Sequence, residues 1–548
     1  MQSGGRAAGD DWAARRHPYR CRSGMSSVPK ILGGGRAIEA VLVAAAGIGM
    51  VAGAGFAAFA TRNLFSDLHA GLPVSINALA MLAAGGTLVA CMRIVSRTRA
   101  ERLGQDFAMA LRSRLYEHLA GMSASEVAGR RAGALGLRFV GDLSAARGWV
   151  SLGLTRILSA VIVLPSAAVT LYWLNPALAA AAALPIALAV LTMLGLAVTL
   201  QPLHRDLRKR RADIAISMME RVAVAPELDL MGRTGKELKA INRDGASLRA
   251  EAVQRMYVAS CLRAVPEIGA ALAAAALLWI TSTNGIAAAD AAAALAILSI
   301  LILPLRELAG VWDRRCAWRI ARDKCEAVLA RPSVRRRPKR SAPPSITFDK
   351  VRFRHLQVEM VVAPRETVLI EGAPGSGKSS VLALAAGLDM PDAGEIRYGD
   401  GERIPKTVFV GANSPILQGS LRRALSLGVS PRPDDAALTA AAEAFGLAPL
   451  LVRLGGLDGR IGEAGRTLSS SERWRVHLAR AWLSAPDLLI IDDVNACTDS
   501  DVAVACRKFL LETDATTMMT SSGTRLDDLA DRCLSIVDGR LASETALQ

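Results

Sequence analysis

Aromatic side chains are scarce in this chain, 4% of 548 residues, although 51% of its residues are apolar and its mean hydropathy is +0.29. That balance excludes an ordinary soluble enzyme of this length, because the apolar residues crowd into the first 310 positions in a pattern suited to a bilayer. The eight cysteines form no C-x-x-C pair and no cluster with metal-ligand spacing. This argues against a zinc site or a disulfide framework and for free thiols. Nor does the chain open on an apolar leader. Residues 1–36 read as a disordered basic extension, and Met25 within it opens a more ordinary beginning for a membrane protein.

The formal charge of +16 would in a soluble protein suggest a polyanionic partner. Here the arginines flank apolar runs, as positive-inside topology requires, and no nucleic-acid partner is expected. Six apolar stretches, at 37–60, 73–95, 151–173, 177–199, 262–281 and 286–308, each approach the ~20 residues a helix needs to cross hydrocarbon. A soluble bundle would show polar faces, whereas ALAAAAALPIALAVLTMLGLAVTL is apolar all round. The connections after the second and fourth stretches are long and arginine-rich, which places them in the cytosol. Their helical period predicts that the second to fifth spans continue as helices beyond the membrane.

Alanine and glycine dominate the spans and permit close helix approach. Glu267 and Asp290 stand out as acids; each suits either a translocation pathway or, more simply, a solvated span end. Few charges within the spans and few aromatics argue mildly against a cavity for a charged or aromatic substrate. Residues 329–344 carry prolines and a basic cluster and read as a linker. From 345 to 548, short apolar runs alternate with helical patterns, the sign of an α/β domain. The expected fold is a multidomain membrane protein: an all-α six-helix transmembrane domain over 37–328, then an α/β P-loop NTPase domain.

In that second domain the strand-like run ETVLI leads into Gly372-Ala373-Pro374-Gly375-Ser376-Gly377-Lys378-Ser379-Ser380, and a helical pattern follows. This satisfies G-x-x-x-x-G-K-[ST] in the required setting of strand, loop and helix. Glycines let backbone N–H groups wrap phosphates, Lys378 is expected to reach the β and γ phosphates, and Ser379 to hold Mg2+. Farther on, PDLLIIDD is a buried-strand pattern ending at Asp492, the expected second Mg2+ contact. ATP with Mg2+ is the expected ligand.

This layout resembles the ATP-binding cassette exporters that fuse six spans ahead of a nucleotide domain, and the resemblance covers nearly everything after residue 36. SASEVAGRRAGAL (123–135) and RVAVAPELDLMGR (221–233) resemble the family's coupling segments, and RIGEAGRTLSSSERWRVHLARAWL resembles its Gly-Glu-x-Gly loop and signature helix. The resemblance implies a half-transporter that needs a second half, each nucleotide site being closed by the partner's signature. It also implies a bacterial inner membrane location, a cytoplasmic nucleotide domain and an unidentified cargo.

Departures from the family pattern fall at four places. The signature usually reads L-S-G-G-Q; here it is Leu468-Ser469-Ser470-Ser471-Glu472, with Ser469 and Ser471 left as candidate phosphate contacts. Side chains at the glycine positions crowd the γ phosphate, and an acid there adds like charge. Ser469 and Glu472 also have capping-box spacing, which would turn Glu472 back onto its own helix. Asp493 stands where the family places a glutamate that orients the attacking water, and it is one methylene shorter. Ser521 falls at the position of the switch histidine, and Ala412 at that of a water-positioning glutamine. His355 occupies the position of an adenine-stacking aromatic, where an imidazole stacks weakly or simply ends a surface strand.

Grip on the nucleotide rests on the retained residues and hydrolysis on the altered ones, so ATP binding with impaired turnover is expected. A heterodimer with an intact half is favoured over a homodimer, since it confines the defects of each motif to one site. The competing readings are a nucleotide-gated regulatory or non-transporting subunit, and a soluble ATPase that uses its basic surface on nucleic acid.

Overall fold

The computed structural model describes residues 27–128, 141–333, 342–399, 405–411, 414–493, 500–520 and 527–545. They divide into two compact units, one built from 27–120 and 141–332, the other from 121–128 and 333–545. Of the expected basic extension, 27–36 belong to the described residues. There a run of turns is held by Arg36, whose guanidinium donates to the carbonyls of Ile31 at 2.9 Å and Lys30 at 2.7 Å.

The first unit contains six helices long and apolar enough to cross a membrane: Ala37–His69, Ile76–Gly121, Leu143–Leu174, Pro176–Ala223, Thr234–Thr283 and Ala288–Leu329. They are numbered here as spans one to six. Span five, with 50 residues, is about 75 Å long at the rise of an α-helix, more than twice the hydrocarbon thickness. Helical continuation was expected for the second to fifth spans. The sixth also continues, to Leu329, because Cys316, Trp318, Ala321, Cys325 and Val328 keep a buried helical stripe beyond its apolar run.

Small residues set the helix spacing, as the composition suggested. A Cβ added at Gly85 of span two would lie 2.6 Å from the Gly53 carbonyl oxygen of span one, and one at Gly53 would lie 2.9 Å from that of Gly85. Only glycine lets the two backbones cross this closely. Span three opens irregularly: Val150–Leu154 form a π-helical turn between Leu143–Trp149 and Thr155–Leu174. Asp290 lies in the first turn of span six and accepts from Arg62 Nε at 2.6 Å; Glu267 pairs with Arg306 at 3.3 Å, both half exposed. Both acids are thus neutralised by arginines from neighbouring helices.

The second unit is an α/β domain around a nine-stranded sheet of order β4-β1-β2-β11-β10-β3-β9-β8-β5, in which β5 is Thr407–Val410, β10 Arg532–Val537 and β11 Arg540–Thr545. Its central parallel strands are β3 (Thr367–Gly372), β9 (Thr516–Thr520) and β8 (Leu488–Ile491); β8 is wholly apolar, and β8 and β9 are buried along their whole length, as strands in the middle of a parallel sheet are. β1 (Ile346–Phe353), β2 (Leu356–Val362) and β4 (Ala393–Tyr398) pair antiparallel at one edge, and there burial alternates. Parallel register brings the carboxyl ends of β3, β8 and β9 side by side, where ligands of such sheets bind. The short helix Ala124–Ala128 belongs to this unit: Ala124 N donates to Leu388 O at 2.9 Å and Ser125 N to the buried Asp389 carboxylate at 3.0 Å.

Candidate nucleotide site

The loop between β3 and the helix Lys378–Ala385 follows the course its glycines permit. Gly372, Gly375 and Gly377 have φ of 149°, 82° and 106°, the region favoured by glycine. Space demands glycine as well: a Cβ at Gly377 would lie 2.6 Å from the Leu356 side chain, and one at Gly372 would lie 2.9 Å from Ile536 O. Ala373, Pro374 and Gly375 form the exposed crest. Ser376 N and Ser380 N close the turn onto Ala373 O at 3.1 Å and Gly377 O at 2.9 Å.

Lys378 Nζ donates to the carbonyl oxygens of Gly372 at 2.6 Å and Ala373 at 3.1 Å, holding its charge at the mouth of the loop. The Ser376 hydroxyl oxygen is buried without a hydrogen-bond partner. A buried polar atom left unpaired is costly, and a phosphate oxygen entering the loop supplies the missing partner.

At the end of β8, Asp492 Oδ1 accepts from Ser379 Oγ at 2.9 Å and from Thr520 Oγ1 at 3.0 Å. Hard oxygen donors from Ser379 and Asp492 fit Mg2+, which keeps waters and phosphate oxygens in the rest of its shell. No group of three or more His, Cys, Asp or Glu suited to a metal occurs among the described residues.

Asp493 follows with φ of 57°, a conformation that aspartate tolerates better than most side chains. Its backbone N–H donates to Thr520 Oγ1 at 2.8 Å. Thr520 therefore ties the Asp492 carboxylate to the Asp493 backbone, the two positions expected to hold a metal and to orient water. Reading the sequence missed it, and the available signal was slight: Thr520 is one of three threonines in the strand TTMMT, with nothing local to set it apart.

His355 is exposed in the turn between β1 and β2, with its carbonyl packed against Gly539. Leu356, its neighbour, lies under Gly377, so the turn abuts the phosphate loop.

The signature-like segment caps its own helix, Ser470–Ser484. Glu472 N donates to Ser469 Oγ at 3.1 Å and Ser469 N to Glu472 Oε2 at 2.8 Å, a complete capping box. Arg453 also donates to Glu472 Oε2, at 2.9 Å. Burial pushes the Glu472 carboxyl upward, but the Ser469 N–H and Arg453 outweigh it and hold the group below its usual range. The expected like-charge penalty is thus offset within the domain, by an ion pair the sequence did not disclose. Ser469 is exposed and Ser471 half-buried. Ser521 and Ala412 lie outside the described residues.

Residues 38–305 match the family model described as ABC transporter transmembrane region, and residues 356–496 match that described as ABC transporter. The chain belongs to the ABC transporters. Six spans followed by one nucleotide-binding domain give it the architecture of a half-transporter and make it an integral membrane protein. This transporter is 30% identical over 290 residues to a mycobactin import ATP-binding/permease protein, IrtB, of Mycolicibacterium thermoresistibile, covering 49% of the chain and 50% of the relative. It is 26% identical over 342 residues to an ATP-dependent lipid A-core flippase of Alkalilimnicola ehrlichii, 58% of each being covered. The transporter thus spans about half the length of these relatives. Its fold matches the structure of a bacterial Atm1-family ABC exporter with ATP bound, at a TM-score of 0.76 and 21% identity, over 93% of this chain and 94% of that one.

Proposed function

We propose that the chain is one half of an exporter that binds MgATP at residues 372–380, couples closure of its nucleotide domain to transport, and hydrolyses ATP slowly. The observation that carries the first part is the set formed by Lys378 at the loop mouth, the unpartnered Ser376 hydroxyl, and Ser379 joined to Asp492. Coupling is supported by the helix Ala124–Ala128, anchored to Leu388 and Asp389 directly after the phosphate-loop helix. Slow hydrolysis rests on Asp493, Ser521 and the altered signature. Misplacing a catalytic group by ~1 Å costs on the order of 100-fold, and loss of one transition-state donor costs about 100- to 1,000-fold.

The second half is a related, intact half-transporter in preference to a second copy. In such a pair one site joins Asp493 and Ser521 to a good signature, and the other joins intact catalytic residues to Leu468–Glu472. The location proposed is a bacterial inner membrane with the nucleotide domain in the cytoplasm, the side toward which the arginine-rich connections point.

The test is Mg2+-dependent ATPase activity of the purified chain in lipid, alone and with a candidate partner, with Lys378→Ala as the control that abolishes binding. Turnover of about 1 s⁻¹ by the chain alone, the low end of ordinary enzyme rates, would overturn the slow-hydrolysis reading. A second reading, a nucleotide-gated regulatory subunit, is favoured by the same residues if ATP binds and no partner restores turnover.

A further inference from the structure

Beyond the apolar runs of spans four, five and six, three ionisable side chains meet at one level. His204 lies five residues past the run 177–199, Asp313 five past 286–308, and Arg255 seven before 262–281. They are 12%, 16% and 18% exposed. Arg255 Nη2 donates to Asp313 Oδ2 at 2.6 Å, while His204 Nε2 lies against the other oxygen, Oδ1. One carboxylate thus answers basic groups from two helices.

The three contacts cannot all be hydrogen bonds together. Arg255 Nε and Nη2 also approach His204 Nε2, at 3.3 and 3.1 Å, but an imidazole nitrogen carries either one proton or one lone pair. With the proton, Nε2 donates to Asp313 and meets the guanidinium donor against donor. Without it, Nε2 accepts from Arg255 and turns its lone pair on the carboxylate. In either tautomer one contact is unmet, so the cluster is weaker than its number of partners suggests. Opening it returns three polar groups to water, which offsets much of the attraction lost.

The helices around the cluster are unequally joined. Spans four and five are held along their length: a Cβ at Gly269 would lie 2.5 Å from Ala189 Cβ, and farther out Arg210 pairs with Glu251 at 2.7 Å and Arg221 with Glu237 at 3.0 Å. They form one arm, whose end carries the segment 221–233. Span six meets that arm where Leu200, Ala259 and Leu262 pack with Ala309. Past this apolar contact come Asp313 and, one turn on, Arg208, which donates to Ala317 O at 2.7 Å. Pro202, Pro266 and Pro304 interrupt the helical hydrogen bonding of the three spans, all on the membrane side of the cluster. Helices bend at such positions.

We propose that Asp313 is a clasp: it fastens the arm of spans four and five to span six, and its release lets the arm bend away at the three prolines and carries the segment 221–233 with it. The clasp goes beyond the function proposed above, since it belongs to the membrane unit alone and needs no nucleotide.

The test uses the full chain in lipid nanodiscs without nucleotide, diluted into unlabelled chain, with spin-labelled unnatural residues at Leu230, the exposed tip of the arm, and at Arg319 of span six. Double electron–electron resonance then reads the distance from arm to span. The parent should show one narrow distance. Asp313→Ala, which leaves His204 and Arg255 facing each other, should raise the share of longer distances about tenfold or more, the worth of one charged hydrogen bond. Exchanging the pair, Arg255→Glu with Asp313→Arg, should narrow the distribution again. Unchanged distances in Asp313→Ala, or an exchange variant as broad as Asp313→Ala, would overturn the proposal. So would equal broadening in Arg322→Ala, which breaks an ion pair within span six alone. No nucleotide enters the measurement, so failure of the chain to take an azido-ATP photolabel would count against the proposed function and leave the clasp standing.

Discussion

The backbone N–H of Asp493 is held by the side chain of Thr520 at 2.8 Å, and the same hydroxyl donates to Asp492 at 3.0 Å. One buried oxygen therefore fixes two consecutive acids, for which different roles are proposed, one toward a metal and one toward water. Replacing Thr520 by valine keeps the shape and removes the hydroxyl to which the Asp493 N–H donates. The domain should lose about 1–3 kcal/mol, read as a lower melting temperature. Mg2+-dependent ATP affinity should fall more than Mg2+-free affinity. Equal loss in both would show that Thr520 does not act through the metal position.

Glu472 offers a cleaner separation of stability from binding. Glu472→Ala removes one half of the capping box and the Arg453 pair and should cost about 1 kcal/mol, roughly 2–4 °C in melting temperature for a domain of this size. Glu472→Gln preserves the reciprocal bond to Ser469 N and should cost less. Thermal melts of both variants decide the matter: equal losses would assign the stabilisation to charge and not to the cap.

Restoring the family's residues should restore turnover only in combination. Asp493→Glu adds the missing methylene but places a longer side chain at φ of 57°, so alone it should change phosphate release little. With Ser521→His, turnover is expected to rise about 100-fold or more. A double variant as slow as the parent would place the limit elsewhere, with the signature serines as the next suspects.

A buried base predicts how the nucleotide domain responds to acid. Burial, then the charges of Arg480 and Arg473, push His477 down to about 3, and its Nδ1 lies 3.1 Å from Arg480, which donates to it. The unfolded chain takes up a proton near pH 6.5 that the folded domain refuses. Stability is therefore fully present above about pH 6.5 and falls as pH drops toward 3, by at most about 1.4 kcal/mol per pH unit. Denaturant melts at pH 7.5 and 5.5 should show this slope flattened in His477→Gln; an unchanged slope would assign the acid sensitivity to other groups.

Sequence alone determined the parts whose causes are local. Six runs of apolar residues have to be helices in hydrocarbon, where every backbone polar group must find its partner within the segment. GAPGSGKS has to be a phosphate loop, because its glycines and lysine act over eight consecutive positions. The Ser469–Glu472 cap was legible for the same reason, lying within one helical turn. What joins distant positions was decided by tertiary structure. Thr520 meets Asp492 only because β8 and β9 pair in parallel register, and Arg453 meets Glu472 across two helices. Arg97, Arg156 and Glu307 come together only where spans two, three and six pack against one another. Helical and strand periods record which face of an element is buried, not which other element covers it, so these meetings left no mark in the order of residues.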